Sequence, residues 1–376
     1  MAYFEAVKKI GIIGGGLAGL TCAIVLARKG LDVFLFEEKK YPFHRVCGEY
    51  ISNEVIPFLE KNGLYPEPLK PVSITNFVLS SPAGRRLECP LDLGGFGISR
   101  YVFDRWLSQE AIESAVTLVN DRVTACSFSE DEFKVETRSA GSHSFDLVIG
   151  AFGKRSTLDK QLNRSFISKR SPYIGVKYHL NTDLVNTENI ELHNFSGGYC
   201  GVSRIEEGKF NLCYLSTRDN LKQYGSIPEM EREVLHKNPF LKRLLCESHF
   251  LLDKPIVINE ITFSPKEPVY DHMLMTGDSA GMITPLCGNG MAMAIHSAKI
   301  LCELIEDQLT EGFDRAKLEA NYTKKWNDHF SRRLWAGRNI QRLFGASTLS
   351  EVAVGIGKAF PSVTRQLMSM THGQPF

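Results

Sequence analysis

The sequence predicts a mixed α/β protein that combines a βαβ unit near its start with β-rich segments and a set of late helices. The βαβ unit begins with an apolar, β-branched run at 10–13, which is followed by glycines at 14, 16 and 19. An amphipathic helix continues to Ala27, and a second apolar strand at 33–36 ends at Glu37. Strand, glycine-rich turn, helix, strand and acid follow one another at the spacing of a dinucleotide-binding unit.

Each glycine of this unit has a predicted task. Gly14 makes the tight turn, Gly16 lets the backbone approach a pyrophosphate, and Gly19 lets the helix lie close to the strand. The pyrophosphate would meet free N–H groups and the positive end of the helix dipole, at the first helical residues Leu17 and Ala18. This arrangement predicts that the chain binds a dinucleotide.

The acid at the end of the second strand indicates the kind of nucleotide. Glu37 is expected to accept hydrogen bonds from a ribose 2′-hydroxyl, which favours an adenosine ribose without a 2′-phosphate. Glu38 and Val123 are predicted to contact the same cofactor. The nucleotide is therefore expected to resemble the adenosine half of NAD or FAD.

A distant segment specifies the dinucleotide. The short apolar strand at 273–276 runs into several turn residues and a helix start: Gly277, Asp278, Pro285, Gly288, Asn289, Gly290 and Met291. Paired with the βαβ unit, this segment resembles the flavoprotein monooxygenase superfamily typified by p-hydroxybenzoate hydroxylase. Within that superfamily it is most similar to the branch of geranylgeranyl reductases and flavin-dependent halogenases. The resemblance covers most of the chain and implies a Rossmann-like domain with FAD as cofactor.

The resemblance also assigns roles to this segment. By analogy with the family, Asp278 holds the ribitol hydroxyls of FAD, and the backbone around 288–291 faces the flavin O2. The turn residues from Gly277 to Met291 named above are accordingly predicted to bind FAD. The helix N-terminus would stabilise the negative charge that reduced flavin carries near N1 and O2.

Two further segments match the same branch. Residues 45–52 read Arg-Val-Cys-Gly-Glu-Tyr-Ile-Ser and resemble a stretch along the flavin, where an arginine touches FAD and Cys-Gly-Glu faces the substrate. Residues 98–107 resemble a stretch whose arginine lies near the FAD pyrophosphate. By this resemblance Arg45 and Arg100 are predicted FAD ligands, and Cys47 is the predicted catalytic residue.

The sequence departs from that branch in three places. Family members usually carry Asp-Gly after the strand that ends near Ala151, whereas this chain has Phe152-Gly153, which leaves the mode of flavin reduction open. Of the Tyr-x-Trp-x-Phe-Pro substrate segment of prenyl reductases only Tyr199 is present, and it is predicted to face the substrate. The Trp-x-Trp-x-Ile-Pro signature of tryptophan halogenases is absent, since tryptophan occurs at 106, 326 and 335.

Composition and spacing exclude several other classes. A net charge of +1 without a Lys/Arg tract gives no reason to expect nucleic acid as a partner. The nine cysteines include no Cys-x-x-Cys pair and the ten histidines no His-x3-His pair, so no metal is predicted. No apolar run reaches the roughly 18 residues of a membrane helix, and the early first strand leaves no room for a signal peptide. We expect a cytoplasmic monomer, with peripheral membrane contact left open.

The chain is predicted to divide into three parts. The FAD-binding domain is discontinuous, the substrate-binding domain is an inserted antiparallel β-sheet, and the last part is helical: 1–70, 100–165 and 265–310 bind FAD, 71–99 and 170–263 form the sheet, and 311–376 form the helical region. A hairpin is expected within 72–90, and further strands at 173–180, 190–195, 199–204, 210–215 and 256–263. One face of this sheet is predicted to form a substrate wall beside the flavin.

Three functions are compatible with these observations. The leading hypothesis is an NAD(P)H- and O2-dependent monooxygenase (hydroxylase) acting on an apolar small molecule that is aromatic, polyketide-like or lipid-like. The alternative is a flavin-dependent C=C reductase similar to geranylgeranyl reductase, in which Cys47 donates a proton. A third hypothesis is a non-catalytic flavin electron-transfer protein. With a single glycine-rich βαβ unit, NAD(P)H must dock transiently or a separate electron-donor protein must supply the electrons.

Overall fold

The computed structural model describes residues 8–168, 171–285, 288–343, 347–359 and 373–376. Its strands, in chain order, are β1 (Lys9–Ile13), β2 (Asp32–Phe36), β3 (Tyr50–Ser52), β4 (Val72–Ser80), β5 (Arg86–Gly97), β6 (Thr117–Val119), β7 (Val123–Ser129), β8 (Glu132–Thr137), β9 (Ser142–Phe145), β10 (Leu147–Gly150), β11 (Tyr173–Asn181), β12 (Asn189–Phe195), β13 (Gly198–Arg204), β14 (Phe210–Thr217), β15 (His249–Phe250), β16 (Ile256–Ile261), β17 (Val269–Tyr270) and β18 (Met273–Met275). Its α-helices are α1 (Leu17–Ala27), α2 (Ile56–Lys61), α3 (Arg100–Glu113), α4 (Thr157–Gln161), α5 (Arg218–Tyr224), α6 (Ile227–Glu233), α7 (Pro239–Glu247), α8 (Gly290–Glu311), α9 (Arg315–Leu343) and α10 (Ser347–Ala359).

The first sheet contains the predicted βαβ unit. Its strand order is β17-β18-β10-β1-β2-β6, and all its pairs are parallel except β17–β18. Helix α1 lies between β1 and β2 in the sequence and packs against α3 and α8. The prediction that this helix is amphipathic is wrong: α1 is buried along almost its whole length, so its sequence is a continuous apolar run without a polar face.

The second sheet contains the strands predicted for the substrate wall. Its order is β15-β11-β14-β13-β12-β4-β5-β3, with β16 also paired to β11. Most neighbours are antiparallel, as expected, and three pairs are hairpins (β4–β5, β12–β13 and β13–β14), but β4 and β12 are parallel. A hairpin turn forces neighbouring strands to be antiparallel, whereas the chain between β4 and β12 passes through the first sheet before it returns. The prediction of a purely antiparallel sheet is therefore wrong at this one pairing.

Several elements were not predicted from the sequence. Strands β7, β8 and β9 form a separate three-stranded antiparallel sheet. The short helices α5, α6 and α7 follow β14, and their apolar residues pack on the back of the second sheet in a cluster that includes Val176, Leu212 and Leu241. These helices cover the sheet face opposite the predicted substrate wall.

Of the late helices, α8 packs on α1 and α9 packs on α8, whereas α10 contacts β5 and β12 of the second sheet. Trp326 and Phe330 of α9 are buried in the main hydrophobic cluster, and Leu334 packs against it from a half-buried position. This apolar stripe of α9 is therefore part of the core. In the described part of the chain no helix has both the length and the apolarity to cross a membrane.

Candidate cofactor and substrate site

A continuous cavity of about 930 Å³ lies between the carboxyl ends of β1 and β2 and one face of the second sheet. Nearly all the residues predicted for the site line it: Gly14, Gly16, Leu17, Ala18, Glu37, Glu38, Arg45, Cys47, Arg100, Val123, Tyr199, Gly277, Asp278, Pro285, Gly288, Gly290 and Met291. Two others, Gly19 and Asn289, are buried behind the lining. One space thus joins the glycine-rich loop to the sheet wall.

Of the three glycines predicted to have a task, two are tightly packed and one faces open space. Gly14 has φ +109°, and a Cβ there would lie 2.4 Å from the carbonyl oxygen of Ala151. A Cβ on Gly19 would lie 1.9 Å from the carbonyl oxygen of Gly14. A Cβ on Gly16 would meet only Nη2 of Arg100, at 3.7 Å. The backbone of Gly16 is therefore accessible from the cavity, as a pyrophosphate would require.

Both predicted arginines form ion pairs with the same acid, Asp104. Arg45 pairs with Glu37 and with Asp104, each at 3.0 Å, and Arg100 pairs with Asp104 through Nε at 2.6 Å. Burial lowers the pKa of Arg100, but the neighbouring Asp104 outweighs burial and holds that pKa above its usual value. Asp104 was not predicted from the sequence, although it lies four residues after Arg100 on α3, the spacing of facing residues on a helix.

Glu37 also has bonds within the protein. One of its carboxylate oxygens, Oε2, accepts the N–H of Gly15 at 3.1 Å, and Oε1 accepts the N–H of Lys39 at 3.0 Å. A carboxylate has about four lone-pair sites, so these bonds leave capacity for a ribose hydroxyl. The acid thus fixes the loop as well as facing the cavity.

Buried cations hold the loop at 276–285, called the Asp278 loop below. These cations were not predicted from the sequence. Lys266 donates to the carbonyl oxygens of Asp278 at 2.6 Å and of Lys154 at 2.7 Å, and burial lowers the pKa of Lys266 to about 8. The fully buried Arg164 donates to the carbonyl oxygen of Ser279 at 2.9 Å. Burial raises the pKa of Asp278 itself. These hydrogen bonds hold the backbone at Asp278 and Ser279, and Asp278 lines the cavity.

The start of α8 faces the same cavity. Gly290 and Met291 line it, the side chain of Asn289 does not cap the helix, and its first turn carries no acidic residue. The first N–H groups and the positive end of a 22-residue helix are therefore directed at the cavity. Such a helix end stabilises a negative charge placed against it.

Cys47 is fixed at the junction of the cofactor loop and the sheet wall. Its carbonyl oxygen accepts a hydrogen bond from Nδ2 of Asn211 at 3.1 Å. The next carbonyl oxygen, that of Gly48, accepts a hydrogen bond from Oγ of Ser203 at 3.4 Å. The Cys47 thiol is near the N–H of Glu49, and burial raises its pKa. At neutral pH the group facing the cavity is therefore a protonated thiol.

A buried polar cluster lies next to Cys47. The fully buried Glu49 accepts hydrogen bonds from Nζ of Lys177, from Nε2 of His179 at 2.7 Å and from the N–H of Arg100 at 2.8 Å. Burial raises the pKa of Glu49, but Lys177 and His179 outweigh burial and lower it overall. Lys177 and His179 were not predicted as site residues. The alternation of side chains along β11 does not show which face of the strand meets the cavity.

The remaining predicted positions lie on the cavity wall. Tyr199 is 3% exposed and lines the sheet side. Phe152, which stands where the related family carries an acid, also lines the cavity. In this chain an aromatic ring therefore occupies that part of the wall.

Sequence comparison finds a family model for the start of the chain and relatives that match most of its length. A family model described as pyridine nucleotide-disulphide oxidoreductase matches residues 9–65, the βαβ unit and the segment after it. The chain is 24% identical over 363 residues to digeranylgeranylglycerophospholipid reductase 1 of Methanopyrus kandleri, covering 91% of this chain and 92% of the relative. It is 25% identical to digeranylgeranylglycerophospholipid reductase 2 of Methanothermobacter thermautotrophicus, covering 88% and 84%.

Solved structures share the fold. A flavin-dependent brominase superposes with a TM-score of 0.79 at 17% identity, covering 96% of this chain and 92% of its own. A flavoprotein/dehydrogenase from Cytophaga hutchinsonii gives the same TM-score and coverage at 15% identity. The predicted fold class, the predicted resemblance and FAD as cofactor are confirmed by these comparisons.

Proposed function

We propose that this FAD-dependent oxidoreductase, similar in sequence to geranylgeranyl reductases and in fold to flavin-dependent halogenases, reduces carbon–carbon double bonds of an isoprenoid-type lipid. The observation that carries the proposal is the position of Cys47, a protonated thiol held on the cavity wall between the cofactor loop and the sheet. A C=C reduction needs a proton donor at this place, whereas oxygen transfer does not. The relatives named as reductases, which match along most of the chain, support the same assignment.

The residues around the cavity fit FAD. The open backbone at Gly16 and the guanidinium of Arg100 would hold the pyrophosphate, Asp278 the ribitol hydroxyls, and the start of α8 the flavin pyrimidine edge. Glu37 lies at the end of β2, where the adenosine ribose of a dinucleotide binds. When bound, FAD supplies a hydride from its reduced ring.

The sheet side of the cavity suits an apolar chain. Its lining is formed mostly by aliphatic and aromatic side chains of the second sheet and the Asp278 loop: Phe77, Leu91, Ile190, Leu192, Tyr199, Val202, Leu215, Ile258, Ile261, Met282 and Ile283. Burying a prenyl chain here would gain roughly 0.8 kcal/mol per buried CH2. An apolar wall also keeps bulk water away from the reacting carbon atoms.

Cys47 would complete the reduction. One alkene carbon receives the hydride, and the second receives the proton of the Cys47 S–H bond, which leaves a thiolate. Burial alone would make that thiolate costly, but Arg100 and Lys177 both lie close enough to lower the pKa of the thiol. The chain thus keeps the acid protonated before the transfer and stabilises its conjugate base afterwards.

Under this proposal the electrons come from one of two sources. NAD(P)H would dock transiently at the cavity mouth, or a separate electron-donor protein would reduce the flavin. Phe152 supports the second route, since the acid that accompanies pyridine-nucleotide use in related proteins is replaced by an apolar ring.

A monooxygenase is the second candidate. It is favoured by the aliphatic wall, since oxygen transfer requires a site from which water is excluded. The two functions differ in what consumes the electrons of the reduced enzyme. A reductase passes them to an alkene without oxygen, and a monooxygenase consumes one O2 per substrate hydroxylated. A non-catalytic flavin carrier has less support, because relatives that match most of the chain are named as reductases.

Replacing the thiol tests the proposal. In Cys47→Ser, anaerobic reoxidation of photoreduced enzyme by digeranylgeranylglycerophospholipid should slow by about 10²–10⁴-fold, the usual worth of a general acid. Reoxidation by O2 should stay within a few-fold. Cys213→Ser is the matched control, because Cys213 lines the same cavity and burial also raises its pKa. If the lipid never reoxidises wild-type flavin anaerobically but stimulates O2 consumption, the monooxygenase hypothesis replaces this one.

A further inference from the structure

One strand of the substrate wall has a glycine whose Cβ position is open to the cavity. Strand β13 lies between β12 and β14, where Gly201 is opposite Leu192 on the first and Cys213 on the second. Although β13 has a partner on each side, Gly201 is only half-buried, and it lines the cavity. A Cβ added to Gly201 would meet only the carbonyl oxygen of Cys213, at 3.8 Å, an ordinary van der Waals distance. The wall therefore has a gap at this residue.

The other strand glycines of the second sheet are required by close packing. They are residues 94, 95, 97, 175 and 198, and a Cβ on any of them would lie within 3.1 Å of another atom. On Gly175, which also lines the cavity, it would meet Ile258 and Ile261 at 3.0 Å. A glycine inside a strand weakens the strand, and it often marks a place where a ligand or another backbone approaches closely. At Gly201 no described part of the protein approaches in this way, which leaves the place to a ligand.

The gap is wide and mostly apolar. Two small side chains that also line the cavity are next to it, Ser203 on the same strand and Cys213 on β14. Leu192 and Tyr199 border it with larger apolar surfaces. The hydroxyl of Ser203 donates to the carbonyl oxygen of Gly48 at 3.4 Å, so this polar group already has a partner. A group that fills the gap therefore meets mainly hydrocarbon.

The sequence shows which side chains would otherwise fill this place. The Tyr-x-Trp-x-Phe-Pro segment of prenyl reductases, of which Tyr199 is the remaining match, has Trp two positions after Tyr and Phe four positions after it. In this chain those positions are Gly201 and Ser203. An aromatic side chain buries roughly 150–250 Å² of surface, so this wall lacks two large rings. By that resemblance the cavity is broader here than one shaped for a linear prenyl chain.

We propose that Gly201 is a specificity-determining residue and that the gap beside it receives the hydrocarbon ring of a cyclic isoprenoid. This inference rests on the proposed function, because it names the class of isoprenoid that the same cavity would accept. A ring fills a gap of this width and buries its surface against Leu192 and Tyr199. A linear chain would leave part of the gap without contact, which forfeits dispersion attraction. Gly201 thus favours broad substrates over narrow ones.

The first test measures binding to the oxidised, FAD-loaded enzyme and needs no turnover. Retinol, which ends in a ring, and geranylgeraniol, a linear isoprenoid alcohol with the same number of carbon atoms, are titrated while the flavin absorbance is followed. In Gly201→Leu the Kd for retinol should rise at least about 10-fold, because the added side chain takes the place of the ring. The Kd for geranylgeraniol should fall about threefold, because leucine adds apolar contact beside a narrow chain. Gly201→Ala should shift both constants in the same directions by smaller factors.

The proposal is overturned if the two dissociation constants move in the same direction in Gly201→Leu, or if neither moves. A wild-type enzyme that does not bind retinol contradicts it as well. Ser73→Leu is the matched control, because it adds the same side chain at an exposed position of β4 that does not line the cavity. Both constants should stay within about twofold of wild type in this variant.

Thermal unfolding of the apoproteins shows whether the fold itself needs the gap. Gly201→Ala should have a Tm at least as high as wild type, because its methyl group has space and alanine restricts the unfolded chain. Gly175→Ala should have a lower Tm, because its methyl group would press on Ile258 and Ile261. A lower Tm for Gly201→Ala would show that the protein uses this space and would overturn the proposal.

The second test connects the gap to the reaction. Anaerobic reoxidation of photoreduced wild-type enzyme should be faster with retinol than with geranylgeraniol, and Gly201→Leu should reverse that order. An unchanged order in the variant contradicts the role of Gly201 in specificity. If neither alcohol reoxidises the wild-type flavin, the proposed function fails, and the two dissociation constants still decide the proposal on Gly201.

Discussion

Arg100 donates to Asp104 through both Nε and Nη2, at 2.6 and 2.7 Å, and this pair holds the Arg100 guanidinium beside Gly16. Asp104 also pairs with Arg45, so one buried carboxylate positions two cations at the mouth of the glycine-rich loop. The cations are thereby available to a dinucleotide without having to be ordered when it binds. We therefore propose that this ion network is a preformed anion site.

Asp104→Asn tests this network. The amide preserves the shape but removes the charge between two cations, so the free energy of unfolding of the apoprotein should fall by about 3 kcal/mol, as when a buried ion pair loses one partner. The loss should be smaller with FAD bound, because the pyrophosphate supplies negative charge beside Arg100. Urea unfolding followed by circular dichroism, with and without FAD, measures both values.

The control for this prediction lies on the same helix. Glu110 pairs with Arg28 at 2.9 Å in a partly exposed position, so Glu110→Gln should cost less than about 1 kcal/mol in either state. If Asp104→Asn is equally harmless, or if FAD does not reduce its effect, Asp104 is not the support of the anion site.

Alanine substitutions at Gly16 and Gly14 should have different effects. At Gly16 a methyl group meets only the end of Arg100 and projects toward the cavity, so Gly16→Ala should fold normally but bind FAD at least about 10-fold more weakly. At Gly14 the methyl group would clash with the backbone of Ala151 at φ +109°, so Gly14→Ala should be destabilised before any cofactor is added. Fluorescence titration with FAD and thermal unfolding of the apoproteins separate the effects. Normal FAD affinity in Gly16→Ala would place the pyrophosphate elsewhere.

Asp278→Ala should weaken FAD binding without harming the apoprotein. Losing one or two hydrogen bonds to ribitol, each worth about 0.5–1.5 kcal/mol net, corresponds to a Kd about 2- to 100-fold higher. Burial raises the pKa of Asp278, so removing its carboxylate relieves a desolvation cost in the empty site. Asp253→Ala, at an exposed position, is the control. Equal affinities for both variants would show that Asp278 does not contact the cofactor.

The sequence was most informative where structure is encoded locally. The βαβ unit could be predicted because its strands, glycines and acid have fixed spacing over about 28 residues. The parallel pairing of β4 and β12 could not be predicted, since more than a hundred residues separate these strands and no turn fixes their direction. Long-range pairing depends on how the whole chain packs.

The polar interior of the site was hidden for a related reason. Lys177 and His179 lie on a strand whose position was predicted, but the contacts with Glu49 depend on which face of that strand meets the cavity. A shift of one residue would turn both side chains to the opposite face. A lysine in a β-strand is usually exposed, so composition alone favoured the opposite interpretation.

His296 should make the protein sensitive to acid. Its ring is stacked on Phe376 at 3.9 Å, and burial, with smaller effects of His329 and Arg333, lowers its pKa to about 3. Between the ordinary histidine pKa near 6.5 and about 3, the unfolded chain binds a proton that the native state refuses. The stability contributed by the neutral ring is therefore full above about pH 6.5 and declines as the pH falls.

His296→Phe should remove this dependence while preserving the aromatic stacking. From pH 7 to pH 5, the free energy of unfolding of wild type should fall by about 2 kcal/mol more than that of the variant, as 1.5 pH units of linkage imply. His249→Gln, at an exposed position on β15, should behave as wild type. Urea unfolding at pH 7, 6 and 5 gives the comparison. Parallel curves for wild type and His296→Phe would mean that His296 titrates in the native protein and that other groups determine its acid sensitivity.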